Sequence, residues 1–342
     1  MEVPQDFYDD AHENVTDDPI TILEYDKAII VATCIIQAII FVVGFVGNSL
    51  VIIITGFKIK KSIPTILIMN LAIADFILIL TLPLWIVHYA LDYHWPYGHL
   101  MCKIMPFISY VNVTASIYFV TTLSLDRFLL ALQHSWVPKI RTMNNTILVC
   151  FGVWLFASLL SIPTFVFSKA LEHNGQVYCY QDNDLVDHAA IILANFVINF
   201  LIPITVMSFC YLYIVLKMSR VSYSANRRAI NLIIAIVVVF CLCWLPYFLV
   251  DIVEGSLILH DVNKYWHVSH ETNKAKRILI SLAFSHSCLN PILYAFLAKG
   301  FRTQFKSAFI LQYFEHIFYE KIPNVPEETQ LTDCSMPQAE RR

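Results

Sequence analysis

The sequence predicts an all-α membrane protein, a bundle of seven membrane-spanning helices followed by a short amphipathic eighth. Hydrophobic residues make up 58% of the chain and charged residues only 14%, too little charge to cover a soluble domain of this length. Seven long apolar stretches lie between Ala28 and Leu297, and about 20 apolar helical residues suffice to cross a roughly 30 Å hydrocarbon layer. Lys and Arg gather on alternate connections, the pattern that marks loops facing the cytoplasm.

Taken in order, the spans fall at 28–57, 63–91, 99–131, 146–168, 188–218, 229–255 and 275–298. The connections are too short to build a second core, so 28–298 reads as one helical domain. An acidic tail, 1–27, precedes it; a segment at 299–312 and a polar tail at 313–342 follow. Met1–Lys27 has neither a basic n-region nor an apolar h-region and does not read as a cleaved signal peptide, so the first span is expected to direct insertion. Basic residues Lys58, Lys60, Lys61, Lys139, Arg141, Lys217, Arg220, Arg227 and Arg228 place their loops inside. The acidic start of the chain is then extracellular and the C-terminus cytoplasmic. In 299–312, Lys299, Arg302 and Lys306 alternate with Phe301, Phe305 and Phe309, which suggests a helix lying in the membrane interface.

Topology sorts the remaining local signals. Asn14-Val-Thr is an extracellular glycosylation sequon, whereas Asn112-Val-Thr lies inside span three and Asn144-Asn-Thr on the cytoplasmic side. Of nine cysteines, only Cys102, at the outer end of span three, and Cys179, in the second outer loop, share an oxidising compartment. They are the expected disulfide. The other spans' cysteines read as small apolar packing residues.

Ionisable residues inside spans are informative, because each costs about 2.5–3.5 kcal/mol on insertion scales. Asp75 lies mid-span and must face the bundle interior, with Asn48, Asn112, Ser116, His286, Ser287 and Asn290 as candidate companions. One reading is a water-filled pocket able to take a sodium ion; the other is hydrogen-bond glue between helices, worth roughly 0.6 kcal/mol per pair. A carboxylate favours the pocket. Asp126-Arg127 stands at the cytoplasmic end of span three, where Arg127 either pairs with its neighbour or snorkels to head groups. Pro83, Pro163, Pro203, Pro246 and Pro291 give five spans a hinge, and Trp244 sits on the inner turn before Pro246. The sequence has no His-Glu-x-x-His, no Gly-rich phosphate loop, no metal-spaced Cys pair and no inverted repeat, so neither an enzyme nor a common transporter fold is expected.

These positions coincide with a family pattern. Gly47-Asn48, Leu71-Ala-Ile-Ala-Asp75, Asp126-Arg127, Trp154, Pro203 with Tyr211, Cys243-Trp244-Leu245-Pro246 and Asn290-Pro291-Ile292-Leu293-Tyr294, each in its own span, resemble the signature of rhodopsin-like (class A) G-protein-coupled receptors. The resemblance covers about 28–312 and includes the Cys102–Cys179 pair. It implies a ligand-driven exchange factor in which Trp244 and Pro246 sense the ligand and the Asp75 pocket rearranges. Arg127, Tyr211 and Tyr294 then regroup where the G protein docks. Asn226, at the base of span six, is not acidic, so an ionic lock to Arg127 is not expected.

Within that family the chain is similar to the chemoattractant-peptide branch. Thr81-Leu-Pro83-Leu-Trp85 and His286-Ser-Cys-Leu-Asn-Pro-Ile-Leu-Tyr-Ala-Phe296 resemble chemokine receptors. His94-Trp-Pro-Tyr-Gly98 and Asp126-Arg-Phe-Leu-Leu130 resemble complement anaphylatoxin, formyl-peptide and chemerin receptors. The second outer disulfide usual in chemokine receptors is missing, and Asn195 stands where the anaphylatoxin-like group usually has Arg. The implied function is a plasma-membrane receptor for a peptide or small protein of chemokine or complement-fragment type, coupled to inhibitory-class G proteins and driving leukocyte chemotaxis. A scavenging receptor, which Phe128 in place of Tyr would suit, and a receptor for a lipid such as leukotriene B4 are the alternatives. Expected partners are the ligand, the heterotrimeric G protein, arrestin and the bilayer, with no nucleic acid; the one cofactor-like species is a sodium ion at Asp75.

On the ligand side, Tyr8 among Asp6, Asp9 and Asp10 suits long-range capture of a basic protein, or else belongs to a solvated tail without a partner. Asp251, Glu254 and Arg277 lie near the outer mouth and either grip a ligand's charges or pair with one another. Trp85, Tyr110 and Tyr247 are candidate pocket walls, with ordinary core packing as the other reading.

Overall fold

The computed structural model describes residues 19–173, 175–182, 184–218 and 227–297. Tyr8, Asn14, Asn226 and the segments 299–312 and 313–342 lie outside them. The elements are α1 (Pro19–Ile53), α2 (Ile63–Ala90), α3 (Gly98–Leu132), α4 (Val137–Ile140), α5 (Met143–Leu160), α6 (Ile162–Phe167), a hairpin of β1 (Ser168–His173) and β2 (Gln176–Gln181), α7 (Leu185–Phe196), α8 (Ile202–Met218), α9 (Arg227–His260), α10 (Val262–Phe284) and α11 (His286–Leu297). Five-residue π-helical turns close α1 and join α7 to α8.

Six spans in this set are long and apolar enough to cross a membrane. The seventh, expected at 275–298, is built from α10 and α11, which break at Ser285. α10 carries Lys264, Glu271, Lys274, Lys276 and Arg277 ahead of its apolar end, and α11 has only 12 residues, so neither helix is long and apolar enough by itself. The membrane helices expose large apolar side chains all along one side, including Phe151 (65%) and Leu242 (67%), as lipid-facing surfaces do.

Local chemistry sets the boundaries. Ser62 caps α2 by accepting the Thr65 N–H, with a proline in the first turn, and Thr142 caps α5 by accepting from Asn145. Pro163 sits in the first turn of α6, just past the break in span four, where a missing N–H leaves no hydrogen bond unmade; Pro203 follows the π-helical turn inside span five, where the Tyr118 hydroxyl donates to the Ile198 carbonyl at 2.9 Å. Pro83, Pro246 and Pro291 lie inside helices as expected, and Pro106 adds an internal proline in span three. The helix of span one starts at Pro19, nine residues before the expected boundary at 28, so the assigned tail 1–27 is helical over its last part.

No run of alternating residues marks the two-stranded sheet in advance. β1 and β2 pair antiparallel with Ala170 opposite Cys179, and Gly175 holds φ +77° in the turn, where a Cβ would be strained. Cys102 and Cys179 are bonded, their Cα atoms 5.6 Å apart, which fixes β2 to the start of α3. Fully buried Trp95 completes that anchor, its backbone N–H donating to the Val177 carbonyl at 2.7 Å.

The interior divides into two apolar layers. One, toward Arg127, contains Leu67, Leu71, Phe119, Leu123, Met207 and Tyr294; the other contains Ile79, Leu82, Trp244, Phe248 and Phe284. Spans one and seven approach closely at Gly47, where an added Cβ would lie 2.8 Å from the Pro291 ring.

Candidate functional site

Three constellations stand one above another along the bundle. At the disulfide end a cavity of about 190 Å³ opens between spans two to seven. Trp85, Tyr110 and Tyr247 line it, together with Tyr89, Pro106, Asn199, Phe248 and Phe284, and Trp244 forms part of its wall. Gln181, the last residue of β2, reaches the same wall, so the disulfide-anchored hairpin helps bound the cavity. Tyr110 is hydrogen-bonded to Asn195 and so is held by span five. Trp244 Nε1 and Asn199 Oδ1 have no hydrogen-bond partner among the described residues, although both side chains are 2% exposed.

Beside the cavity, Asp251 and Glu254 are 6% and 4% exposed. Their cation is Lys276, not Arg277. Lys276 Nζ lies 2.5 Å from Asp251 Oδ1 and also contacts Glu254 Oε2. Arg277 stacks instead over the Tyr93 ring, 4.2 Å from its centroid. His188 Nε2 stands 3.6 Å from Glu254 Oε1, and Lys276 Nζ lies 6.0 Å from the centroid of the Tyr247 ring. The sequence contained a signal for Lys276: with Ile280 and Phe284, both cavity residues, it falls at i, i+4, i+8 on one helix face.

The middle constellation centres on Asp75, which is fully buried. Ser116 and Ser287 each donate to Oδ1 at 3.0 Å, and Asn290 donates to Oδ2 at 2.8 Å. His286 Nε2 lies 3.5 Å from Oδ1. Asn112 departs from the expected grouping: its amide donates to the Ile108 carbonyl one turn back at 2.7 Å and not to Asp75. Helical geometry offers a mid-helix Asn that nearby carbonyl, and Asn112 takes it. Asn48 likewise donates to the carbonyls of Gly44 and Ser287, joining spans one and seven through the backbone. Trp244 packs 5.6 Å from His286 between ring centroids, so the cavity wall and the Asp75 cluster share a neighbour.

At the far end, Asp126 is 5% exposed and carries two arginines. Arg127 Nε is 3.8 Å away, while Arg141 Nε is 2.7 Å away. Tyr211 meets Ser124 at 3.1 Å and joins spans three and five, and Tyr294 is wholly buried. Phe128 packs against Phe209 and Tyr213. In the sequence Arg141 stands out only as a loop charge, since nothing local ties it to Asp126.

Outside the spans, Lys169 and Asp182 pair at 2.5 Å across the ends of the hairpin. Lys169's hydrogen bond holds the Asp182 carboxyl below its ordinary value, and the same contact raises the lysine.

Residues 47–294 match the family described as 7 transmembrane receptor (rhodopsin family). The chain belongs to that family, whose members are receptors rather than enzymes. It is 39% identical over 282 residues to the human (Homo sapiens) protein named chemerin-like receptor 2, covering 80% of this chain and 78% of that one. It is 33% identical over 306 residues to the C3a anaphylatoxin chemotactic receptor of Danio rerio, covering 88% and 81%. Chemerin-like receptor 1 of Mus musculus is 33% identical over 293 residues, covering 80% and 77%. With these relatives the chain is a chemoattractant-type receptor and a multi-pass plasma-membrane protein. The chemokine-receptor resemblance is correspondingly approximate.

Proposed function

We propose that the chain is a receptor for an extracellular peptide or small protein of the chemerin or complement-fragment kind, with its N-terminus outside, coupled to inhibitory-class G proteins and driving leukocyte chemotaxis. The observation that carries the reading is the continuous path from the aromatic cavity through Trp244 and His286 to Asp75. Ligand in the cavity bears on Trp244 beside the internal Pro246 of α9, a helix whose other end lies toward Arg127. A bundle with two packings is biased by ligand at one end and G protein at the other, and the coupling is reciprocal. Tyr211, Tyr294 and Arg127 are the groups that rearrange for the G protein, with arrestin competing for the same face.

Asp75, Ser116 and Ser287 supply one carboxylate and two hydroxyls, a hard-oxygen set that fits a sodium ion. When bound, such an ion supplies a positive charge that offsets the buried carboxylate. His286 Nε2 stands on the same side, 3.5 Å from Oδ1.

The test is a ligand panel on cells expressing the chain, with cyclic AMP inhibition read with and without pertussis toxin. Chemerin-derived peptides, complement fragments, chemokines, formyl peptides and leukotriene B4 form the panel. A toxin-sensitive response to a peptide class supports the proposal. Uptake of a peptide without response supports the scavenging alternative, and a response to leukotriene B4 alone overturns the peptide assignment.

A further inference from the structure

The sheet of β1 and β2 has only two strands, so each strand has an outer edge whose backbone groups need partners. Along an antiparallel pair, residues alternate between exchanging both hydrogen bonds and turning their backbone groups outward. Ala170 and Val177 belong to the outward set, and an imidazole holds each of their amides. The Val177 N–H donates to His94 Nδ1 at 3.2 Å, and the Ala170 N–H donates to His99 Nδ1 at 3.4 Å. An amide N–H can only donate, so each Nδ1 must offer a lone pair and each ring must be uncharged. Asp92 and Tyr93, which deliver His94 to β2, stand at φ +49° and +66°, a region that non-glycine residues avoid. His88 behaves differently. Its Nδ1 lies 3.2 Å from the His94 carbonyl, which only accepts, so Nδ1 already carries a proton and a second one at Nε2 leaves that contact in place.

We propose that His94 and His99 form an acid-released latch on the hairpin: a proton bound at Nδ1 turns an acceptor into a donor that faces another donor, and that edge of the sheet lets go. Imidazoles take up a proton in the mildly acidic range, where no other side chain of ordinary chemistry changes charge. Around His94 stand His88 of α2, Asp92 and Tyr93 of the connection, Glu172 opposite Val177 on β1, and Arg277 of α10 over the Tyr93 ring. Near His99 are Lys103, one turn along α3, and Lys169 and Glu172 of β1. The cations are engaged, Arg277 by Tyr93, Lys103 by the Phe165 ring and Lys169 by Asp182. Asp92 and Glu172 are exposed and have no ion pair among the described residues, so a carboxylate is at hand for a released imidazolium. His94 is the stronger hold. It is half-buried and works beside fully buried Trp95, whose N–H binds the Val177 carbonyl, whereas His99 is exposed and water replaces its longer contact at little cost. The Cys102–Cys179 bond keeps β2 attached after release, so the hairpin tilts about Cys179 and moves Gln181, two residues on, in the cavity wall. The proton is then a second input to the cavity, whatever ligand enters it.

The experiment uses the purified full-length receptor in detergent and reads residue-resolved amide hydrogen exchange, corrected for intrinsic rate, from about pH 7.5 down to about pH 5.5. Protection of the Val177 N–H should fall about ten-fold and that of Ala170 about three-fold. Leu171 and Tyr178, which face each other in the pairing and bond within the hairpin, should keep theirs. His94→Asn places an amide oxygen where Nδ1 stood and never charges, so Val177 protection should stay level across the range. His99→Asn should level Ala170 and leave the Val177 step in place. A flat Val177 profile in wild type, a Val177 step that survives in His94→Asn, or an equal loss at Leu171 and Tyr178 overturns the proposal. If His94→Asn does not fold, wild type decides alone: a step at Val177 without one at Tyr178 supports the latch, and the same step at both overturns it. No ligand or G protein enters the measurement, so its outcome leaves the receptor reading untouched, and a silent ligand panel leaves the latch standing.

Discussion

Arg141 holds Asp126 more closely than Asp126's own neighbour does: its Nε is 2.7 Å and its Nη2 3.4 Å from the two carboxylate oxygens. Arg127 stands at 3.8 Å, and its Nε has no hydrogen-bond partner among the described residues. Asp126 is thus largely spent on a loop arginine, and Arg127 is only loosely restrained. Removing Arg141 returns the carboxylate to Arg127. Arg141→Ala should lower ligand-independent nucleotide exchange on a reconstituted inhibitory-class G protein by about five-fold, the equivalent of about 1 kcal/mol for a partly exposed charge-assisted bond. Asp126→Asn frees both arginines and should raise it. A rise in Arg141→Ala would show that the loop contact does not restrain Asp126.

Gly44 and Gly47 make a paired test of how closely span one must pack. At Gly47 a Cβ would meet the Pro291 ring at 2.8 Å, and that ring cannot turn away. At Gly44 it would meet the Cδ1 end of Ile79, which has other rotamers. Gly47→Ala should therefore cost about 1–3 kcal/mol and Gly44→Ala less than about 1 kcal/mol. Detergent unfolding midpoints of the two variants check the order, and equal midpoints would mean that span seven moves aside.

The contrast between spans six and seven shows what could be read from sequence. Span six declares itself by an unbroken apolar run with Trp244 and Pro246 inside it. Span seven continues a helix that starts among Lys264, Lys274, Lys276 and Arg277 and breaks at Ser285, so its apolar run is short and Asn290 and Pro291 are its sharpest marks. Asp75 was legible because a lone carboxylate in a span needs partners, and Ser116, Ser287 and Asn290 supply them. Asn112 was not, because a backbone carbonyl satisfies it within its own helix. Arg141 and the hairpin escaped for another reason: both depend on where a loop folds back, which no period in the sequence encodes.

The disulfide is expected to matter for the cavity as much as for stability. Cys179 lies two residues before Gln181, a cavity residue, and the cross-link closes 77 residues. In a chain-entropy account a loop of that size is worth about 4.5 kcal/mol. Cys179→Ser should lose ligand binding and melt markedly lower, and adding Cys102→Ser should cost little more, since the same bond is already gone. A large further loss in the double variant would assign Cys102 a separate role.

The Lys169–Asp182 contact predicts how the hairpin responds to pH. Asp182 is held below its ordinary value of 3.8, so its contribution is fully present above that value and is lost as pH falls through the lowered one. Lys169 is raised above 10.5, so its contribution is present below 10.5 and is lost as pH rises through the raised value. Between these limits the contact is constant. Both side chains are about half exposed, at 52% and 46%, so salt should weaken it. The reporter is the Asp182 N–H, which donates to the Phe167 carbonyl at 2.8 Å beside the contact. Its hydrogen-exchange protection, corrected for intrinsic rate, should fall below about pH 4 in wild type and should show no such step in Asp182→Asn. An identical pH profile in both would place the protection in the strand pairing alone.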